Sequence, residues 1–240
     1  MRTALRMYVL MFVIAIAASS VVAQTTGPVS PKPSAKTPNR TLTIKSLLKD
    51  RGYWISKVDS IQNEEYRSAV TAFRKVNGLK HEKKFSDAQF EALERSSRPQ
   101  PQQKFLIYPE QDTERAHIEV DLMRQVLFVV DSLGTVVRIL PVSSGNGKPF
   151  TTVRPDGTEY TRNAITPAGQ FRISRIIKGW RKSELGELFY PIYFRGGAAV
   201  HGARSVPNFP ASHGCVRIPL FAAEELARSV SVLHPILVHR

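Results

Sequence analysis

The chain has 240 residues, of which 42% are hydrophobic, and a formal net charge of +14 at pH 7. This length fits one large domain or two small ones, and the hydrophobic share is enough for a packed core. So large a positive charge says nothing about the fold, but it favours an anionic partner such as nucleic acid, anionic lipid or a carboxylate-rich cell wall. The single cysteine excludes an internal disulfide.

Residues 1–23 have the pattern of a secretory signal peptide. Two arginines precede an uninterrupted apolar run at 8–18, and Val21 and Ala23 put small residues at positions −3 and −1 of a cleavage site. The alternative is an uncleaved anchor, but the run is too short to cross the ~30 Å hydrocarbon core of a bilayer. We therefore expect cleavage near Ala23, export to the periplasm or cell wall, no stable transmembrane anchor and no nucleic-acid partner.

Two proline-containing segments divide the rest of the chain. Residues 24–41 hold four prolines among serines, threonines and lysines, a composition that cannot pack a core and predicts an extended linker. A second linker is predicted at 96–114. Between the two lies a segment at 42–95, and after them one at 115–240.

Residues 42–95 predict three short helices. Apolar residues at helical spacing precede Gly52, which is suited to end the first helix. Asn63 can cap the second helix. Ser86 and Gln89 have the spacing of a capping box at the start of the third. A unit this small buries little surface and would be marginal alone.

From residue 115 the apolar pattern changes to the period of two that is typical of strands. Ile118 and Val120 alternate with Glu119 and Asp121. Further strand-like runs lie at 126–130, 135–142, 171–177, 188–194, 198–201 and 235–239, and one helix is predicted at 221–230. Strands at this spacing predict a mainly β fold, a sandwich or barrel, with one short helix.

The sole cysteine, Cys215, lies in a glycine- and proline-containing stretch, 198–217, that also holds His201 and His213. We expect a loop between strands there, and loops on a rigid scaffold often carry function. A single cysteine in an exported protein is a reactive thiol, an intermolecular link or an inert buried thiol. A histidine beside the thiol would lower its pKa and make it a nucleophile.

His201 is the predicted base, because it ends a predicted strand and the following loop can bring Cys215 back beside it. Gly214 lacks a Cβ next to the nucleophile, so that backbone amides can approach a developing oxyanion. Together these residues predict nucleophilic catalysis by a cysteine.

Three further residues are predicted to support the site. Arg217 would hold a substrate carboxylate, unless it is simply a solvated surface arginine. Ser212 would orient the loop by hydrogen bonding. His213 would shape the pocket or take part in proton transfer. No metal-ligand spacing is present, and we expect no cofactor.

The run Ser212-His213-Gly214-Cys215-Val216-Arg217, with the upstream pair His201-Gly202, resembles the signature of YkuD-type L,D-transpeptidases. Other stretches from about 115 to 240 are also similar to that family: VDLMRQVLFVV (120–130), LPVSSG (140–145) and TPAG (166–169). The resemblance implies a YkuD-like β-sandwich.

The segment 42–95 resembles a peptidoglycan-binding type 1 domain. The similar stretches are LLKDRGYW (47–54), AVTAFRKVNGL (69–79) and FEAL (90–93). Glycan binding is therefore expected of this segment, with a spacer or a cover of the substrate cleft as the alternatives.

The family resemblance implies a mechanism. His201, oriented through the Gly202 carbonyl, takes the proton from Cys215, which attacks the bond before the terminal D-Ala of a tetrapeptide stem. D-Ala leaves, and a thioester remains. The side-chain amine of a second stem then resolves the thioester into a 3→3 cross-link, whereas water would make the protein an L,D-carboxypeptidase.

Two other classes of protein compete with this interpretation. Papain-like wall endopeptidases carry the cysteine before the histidine, the reverse of the order here. A non-catalytic wall-binding protein would not need both Cys215 and His201.

Overall fold

The computed structural model describes residues 39–102, 116–153 and 156–240. The helices in these ranges are α1 (Arg40–Asp50), α2 (Glu64–Val76), α3 (Asp87–Arg95) and α4 (Leu220–Ser229). The strands are β1 (His117–Asp121), β2 (Val126–Val130), β3 (Val136–Pro141), β4 (Pro149–Val153), β5 (Glu159–Asn163), β6 (Gly169–Arg172), β7 (Arg175–Ile176), β8 (Trp180–Ser183), β9 (Gly186–Arg195), β10 (Ala198–Ala203), β11 (Val216–Pro219) and β12 (Pro235–His239). The predicted signal peptide lies outside the described residues. Within them, no helix is long and apolar enough to span a bilayer.

The cap predicted for α2 and the glycine end predicted for α1 are confirmed, whereas α1 begins at Arg40, inside the predicted linker. Side-chain oxygens of asparagine cap both N-termini: that of Asn39 accepts from the Thr41 amide, and that of Asn63 from the Tyr66 amide, each at 3.0 Å. Gly52, with φ of 88°, follows α1 in the left-handed conformation that glycine adopts readily. Local capping chemistry therefore sets these helix boundaries.

The predicted capping box of α3 is wrong. Ser86 precedes the helix but makes no side-chain capping hydrogen bond. Gln89 is buried instead: its side chain accepts from Arg74 Nε at 3.0 Å and donates to the Lys80 carbonyl at 2.9 Å. The amide thus ties α3 to α2, a tertiary partnership that local spacing does not reveal.

The three N-terminal helices share one hydrophobic core with the β2–β3 hairpin. Phe73 of α2 is fully buried and meets the Tyr53 ring edge-on, with 5.8 Å between ring centroids. From the sheet come Val126, Phe128, Val130, Val136 and Ile139. The small helical unit, expected to be marginal alone, therefore gains its apolar burial against the sheet.

Two five-stranded sheets and α4 enclose the main core. The first sheet has the order β3-β2-β1-β12-β6, in which β1 and β12 are parallel. The second has the order β11-β10-β9-β7, with β8 also paired to β9, and β10 and β11 are parallel. Side chains from both sheets and from α4 fill the space between them. The predicted fold, a mainly β sandwich with a short helix, is confirmed.

Four strands were not predicted. Strands β4, β5 and β8 are largely exposed and polar, so they lack the apolar alternation by which strands are detected. Strand β11 begins within the stretch expected to be a loop. The predicted strand at 171–177 is two strands, β6 and β7, which belong to different sheets.

Both faces of β1 are buried, including the face that carries its polar residues. Glu119 is 1% exposed; its carboxylate accepts from the Gln102 amide at 2.8 Å and lies 2.9 Å from His239 Nε2. His117 Nε2 is 3.6 Å from the same carboxylate. The first and last strands of the described β region are therefore joined by a buried polar cluster.

Candidate active site

Strands β10 and β11 bring the predicted site residues to one face of the second sheet. His201 is in register with Arg217, and Cys215 comes immediately before β11. The intervening Val200 and Val216 point into the sandwich core. Because side chains alternate along a strand, His201, Cys215 and Arg217 face the opposite way and line one cavity.

His201 is held as a neutral imidazole. Its Nδ1 lies 2.9 Å from the Gly202 carbonyl oxygen, so Nδ1 carries the proton and Nε2 keeps its lone pair. Burial lowers the pKa of His201 to about 4, and the nearby positive charge of Arg217 acts in the same direction. The ring can therefore accept a proton through Nε2 at neutral pH.

Cys215 is a neutral thiol in this arrangement. Burial raises the pKa of Cys215, although the Ala199 amide and the positive charges of Arg217 and Arg162 oppose the rise. Its Sγ donates to the Gly197 carbonyl at 3.6 Å. The expectation that a histidine neighbour lowers this pKa is wrong, since a neutral imidazole offers no charge and desolvation dominates.

Hydrogen bonds within the Cys215 loop fix its backbone. Ser212 Oγ donates to the Cys215 carbonyl and accepts from the Gly214 amide at 3.1 Å. Thr166 Oγ1 donates to the Gly214 carbonyl at 2.9 Å. The Gly214 amide is thus engaged inside the loop, and the approach of backbone amides to a developing oxyanion stays a prediction.

Both glycines of the motif have a structural requirement. Gly214 has φ of 127°, and a Cβ there would lie 3.1 Å from the Ile165 carbonyl oxygen. A Cβ on Gly202 would lie 2.7 Å from the Ala223 Cβ of α4 and 3.2 Å from Phe189. Gly214 therefore permits the loop conformation, and Gly202 permits α4 to pack against β10.

The cavity in front of Cys215 has a volume of about 1300 Å³. Residues of the β4–β5 and β8–β9 hairpins line it, and Thr152 Oγ1 donates to Glu184 between these hairpins at 3.3 Å. Among the described residues, seven basic side chains line the cavity against two acidic ones. The basic ones are Arg162, Arg175, Arg181, Lys182, Arg195, Arg204 and Arg217, and the acidic ones are Glu184 and Glu187. The cavity is therefore suited to an anionic ligand.

His213 lies at the exposed rim of this cavity. Its ring packs edge-on against Phe150 of β4, with 4.8 Å between ring centroids. The guanidinium of Arg162 on β5 lies over two aromatic rings of the same hairpin, 4.9 Å from the Phe150 ring centroid and 5.9 Å from that of Tyr160. His213 thus contacts the hairpin rather than the buried face that holds His201.

Comparison with known proteins accounts for this geometry. The model of the YkuD family, described as an L,D-transpeptidase catalytic domain, matches residues 115–238. A crystal structure of an L,D-transpeptidase from Xylanimonas cellulosilytica is 34% identical, covers 90% of this chain and 100% of that chain, and has a TM-score of 0.72. This chain belongs to the YkuD L,D-transpeptidase family. It is therefore an enzyme of the L,D-transpeptidase type.

More distant solved structures also match this L,D-transpeptidase. One from Stackebrandtia nassauensis is 17% identical, covers 90% of this chain and 98% of that chain, and has a TM-score of 0.45. Another, a C442S mutant from Enterococcus faecium, is 22% identical, covers 52% of this chain and 49% of that chain, and has a TM-score of 0.39. Proteins of curated function give no match.

Sequence reasoning missed several residues around this L,D-transpeptidase site. Arg162 and Phe150 belong to the β4–β5 hairpin, which carries no apolar alternation. Thr166 was noted only within the TPAG stretch, and its bond to Gly214 is apparent only in three dimensions.

Within the described ranges, no group of three or more His, Cys, Asp or Glu side chains is arranged to hold a metal ion.

Proposed function

We propose that this enzyme is an exported L,D-transpeptidase that forms 3→3 cross-links in peptidoglycan through a thioester on Cys215, with release of D-Ala. One observation carries the proposal: His201 and Cys215 lie on the same face of β10–β11 and open into a strongly basic cavity. Family membership supports the reaction type and the order of the steps, and we assign the steps to the residues that line the cavity.

Acylation begins from two neutral groups. His201 Nε2 takes the thiol proton while Cys215 Sγ attacks the carbonyl between the third residue of a stem and its D-Ala. The Sγ–C bond forms, the C–N bond breaks, and the proton passes from His201 to the leaving amine. The positive charges of Arg217 and Arg162, which favour the thiolate, stabilise the negative charge that develops.

Deacylation uses the same base. His201 removes a proton from the side-chain amine of a second stem, the amine attacks the thioester, the Sγ–C bond breaks, and His201 returns the proton to Sγ to regenerate the thiol. If water takes the place of the amine, the product is a free tripeptide and the enzyme acts as an L,D-carboxypeptidase. No metal or organic cofactor takes part in either step.

The basic cavity supports a carboxylate-rich substrate. Stem peptides carry free carboxylates, and guanidinium groups bind carboxylates with two parallel hydrogen bonds. We assign this contact to Arg217 of β11 and Arg162 of the β4–β5 hairpin. The positive charge around the cavity also favours approach of an anionic wall polymer, an attraction that salt screens beyond about 8 Å at physiological ionic strength.

We further propose that residues 42–95 bind the glycan of the wall, and that the chain is secreted after cleavage near Ala23. The alternative role for the helical segment is that of a spacer or cleft cover. Mass measurement of the protein recovered from the cell envelope tests the cleavage site, and sedimentation of the Cys215→Ala chain with purified peptidoglycan tests binding without turnover.

The deciding experiment mixes the purified chain with a disaccharide-tetrapeptide fragment and follows the products by mass spectrometry. D-Ala release with a cross-linked dimer, both absent in Cys215→Ala, is the expected result. D-Ala release with tripeptide alone would identify an L,D-carboxypeptidase. If neither turnover nor a covalent adduct is detected, the enzymatic proposal is rejected in favour of a non-catalytic wall-binding protein.

A further inference from the structure

A lysine of the helical segment reaches into the catalytic sheet. Lys75 of α2 donates through Nζ to the Val142 carbonyl at 2.8 Å and to the Gln125 carbonyl at 3.1 Å. Gln125 ends the turn between β1 and β2, and Val142 follows β3. Burial lowers the pKa of Lys75 to about 8, which reflects the cost of removing its ammonium group from water. Both partners are backbone carbonyls, and Val142 directly precedes Ser143 and Ser144.

Gln125 carries the connection one step further. It is 5% exposed, and its backbone has φ of 57°, the left-handed region. The side-chain oxygen accepts from the Ser144 amide at 2.9 Å, and the side-chain nitrogen donates to Ser144 Oγ at 2.8 Å. The side-chain amide of Gln125 therefore holds both the backbone N–H and the hydroxyl of Ser144. Its orientation depends on the strained backbone of Gln125, whose carbonyl accepts a hydrogen bond from Lys75.

Ser144 in turn holds the loop that carries the cysteine. Its carbonyl accepts from the amides of Ala211 and Ser212, each at 2.9 Å. Ser212 Oγ donates to the Cys215 carbonyl. An unbroken series of hydrogen bonds thus runs from Lys75 through Gln125, Ser144 and Ser212 to Cys215.

Ser143 anchors the two sides of the same loop. Its backbone exchanges two hydrogen bonds with Arg217, at 3.0 and 3.1 Å, and its hydroxyl donates to the Phe209 carbonyl at 2.8 Å. Residues 143–144 therefore hold the Cys215 loop in place. Lys75 bonds the carbonyl of Val142, the residue that immediately precedes them.

We propose that Lys75 is a positioning residue for the transpeptidase reaction: by fixing Gln125 and Val142, it sets the placement of residues 143–144 and, through them, of the Cys215 loop against His201. This role rests on the proposed function, and it means that one side chain of the helical segment, Lys75, acts on the placement of the nucleophile. A misplaced nucleophile loses rate steeply, so a small shift of the loop has a large effect.

The test replaces Lys75 by methionine, which keeps the length of the side chain and removes its donors. Lys75→Met should lower kcat for D-Ala release from the disaccharide-tetrapeptide about tenfold, with KM changed less than about twofold. Lys75→Arg should recover most of this rate, since a guanidinium also donates to carbonyls.

A second readout needs no peptidoglycan. The rate of iodoacetamide alkylation of Cys215 is measured against pH in the wild type and in Lys75→Met. The charged or titratable groups that line the cavity with the thiol include His201, His213, Arg162 and Arg217, and the substitution changes none of them. A loosened loop exposes the thiol, so the half-maximal pH of alkylation in Lys75→Met should move down towards the ordinary cysteine value of about 8.5. Turnover therefore falls while the thiol becomes more reactive, and both are measured at a temperature where circular dichroism shows the variant fully folded, so that unfolding is not the cause.

Lys45 provides the matched control. It is a fully buried lysine of the same segment, and its partner is Asp59 at 2.6 Å rather than the catalytic sheet. Lys45→Met should lower the melting temperature and leave kcat and the alkylation profile of the folded protein as in wild type. If Lys75→Met does not fold, Gln125→Asn replaces it, because asparagine tolerates the left-handed backbone but is too short to hold Ser144.

The proposal is wrong if Lys75→Met matches the wild type in turnover and alkylation, or if Lys45→Met shifts both to the same extent. Absence of D-Ala release in the wild type would instead reject the proposed function, and the alkylation profile would still decide whether Lys75 positions the loop.

Discussion

At the residue scale, the chemistry of this site depends on two groups that are both neutral at rest. Burial lowers the pKa of His201 to about 4 and raises the pKa of Cys215. The thiolate is therefore formed during the reaction and is not stored beforehand.

The first prediction concerns pH. His201 accepts a proton only when neutral, so kcat/KM for D-Ala release should hold as pH falls through the ordinary histidine range and decline only near pH 4. A pH profile, with circular dichroism at each pH to exclude unfolding, measures this limb. A decline centred near the ordinary value of about 6.5 would contradict it.

The second prediction concerns Gly202. Because a Cβ there would lie 2.7 Å from the Ala223 Cβ, Gly202→Ala should reduce the free energy of unfolding by about 1–3 kcal/mol through overpacking. Adding Ala223→Gly removes the clashing atom and should recover part of this loss. Urea unfolding of the two single variants and the double variant measures the coupling, and strict additivity would contradict the clash.

At the element scale, docking of α2 on the β2–β3 hairpin joins the helical segment to the sandwich. Phe73 lies at the centre of this contact and is completely buried. The sheet side of the contact is apolar, so the helices cover a surface that would otherwise face water.

The third prediction follows from this shared core. Phe73→Ala should reduce the free energy of unfolding by about 3–5 kcal/mol, because it removes a buried ring and leaves a cavity. Urea unfolding followed by circular dichroism should show one transition for helices and strands together. Ile61→Ala, at a position 62% exposed, is the control and should change stability by less than about 0.5 kcal/mol. Two separate transitions would mean that the segments unfold independently.

At the scale of the whole molecule, Glu119 connects distant parts of the chain. Its carboxylate bonds the Gln102 amide that follows the helical segment and the His239 ring of the last strand. Desolvation raises the pKa of Glu119, but the nearby His117 and the hydrogen bonds with Gln102 and His239 together outweigh it and hold this pKa below its usual range.

The fourth prediction is an acid-sensitive stability. The unfolded chain binds a proton at Glu119 before the folded chain does, so this contribution is complete above the unfolded pKa of about 4.3 and is lost as pH falls through the folded pKa. Glu119→Gln should lower the melting temperature at neutral pH and flatten its decline in acid. Glu91→Gln, on the exposed side of α3, should do neither.

Sequence alone determined the elements whose signals are local. The sequence indicated the end of α1 through Gly52 and the start of α2 through Asn63, and period-two apolar runs indicated most strands of both sheets. The order of residues around Cys215 also sufficed to indicate the family, and the pairing of His201 with Cys215 in catalysis stays a prediction. These features depend on neighbours in the chain, and the sequence contains those neighbours.

Tertiary structure alone decided the features that depend on distant partners. Exposed polar strands such as β4 and β5 form because they pair with each other above the cavity, and they bring Arg162 to Cys215. Gln89 bonds Arg74 instead of capping its helix. The pKa directions of His201 and Cys215 follow from desolvation, which depends on how much of the fold packs around each group, and the connection from Lys75 to the Cys215 loop exists only once α2 has docked on the sheet.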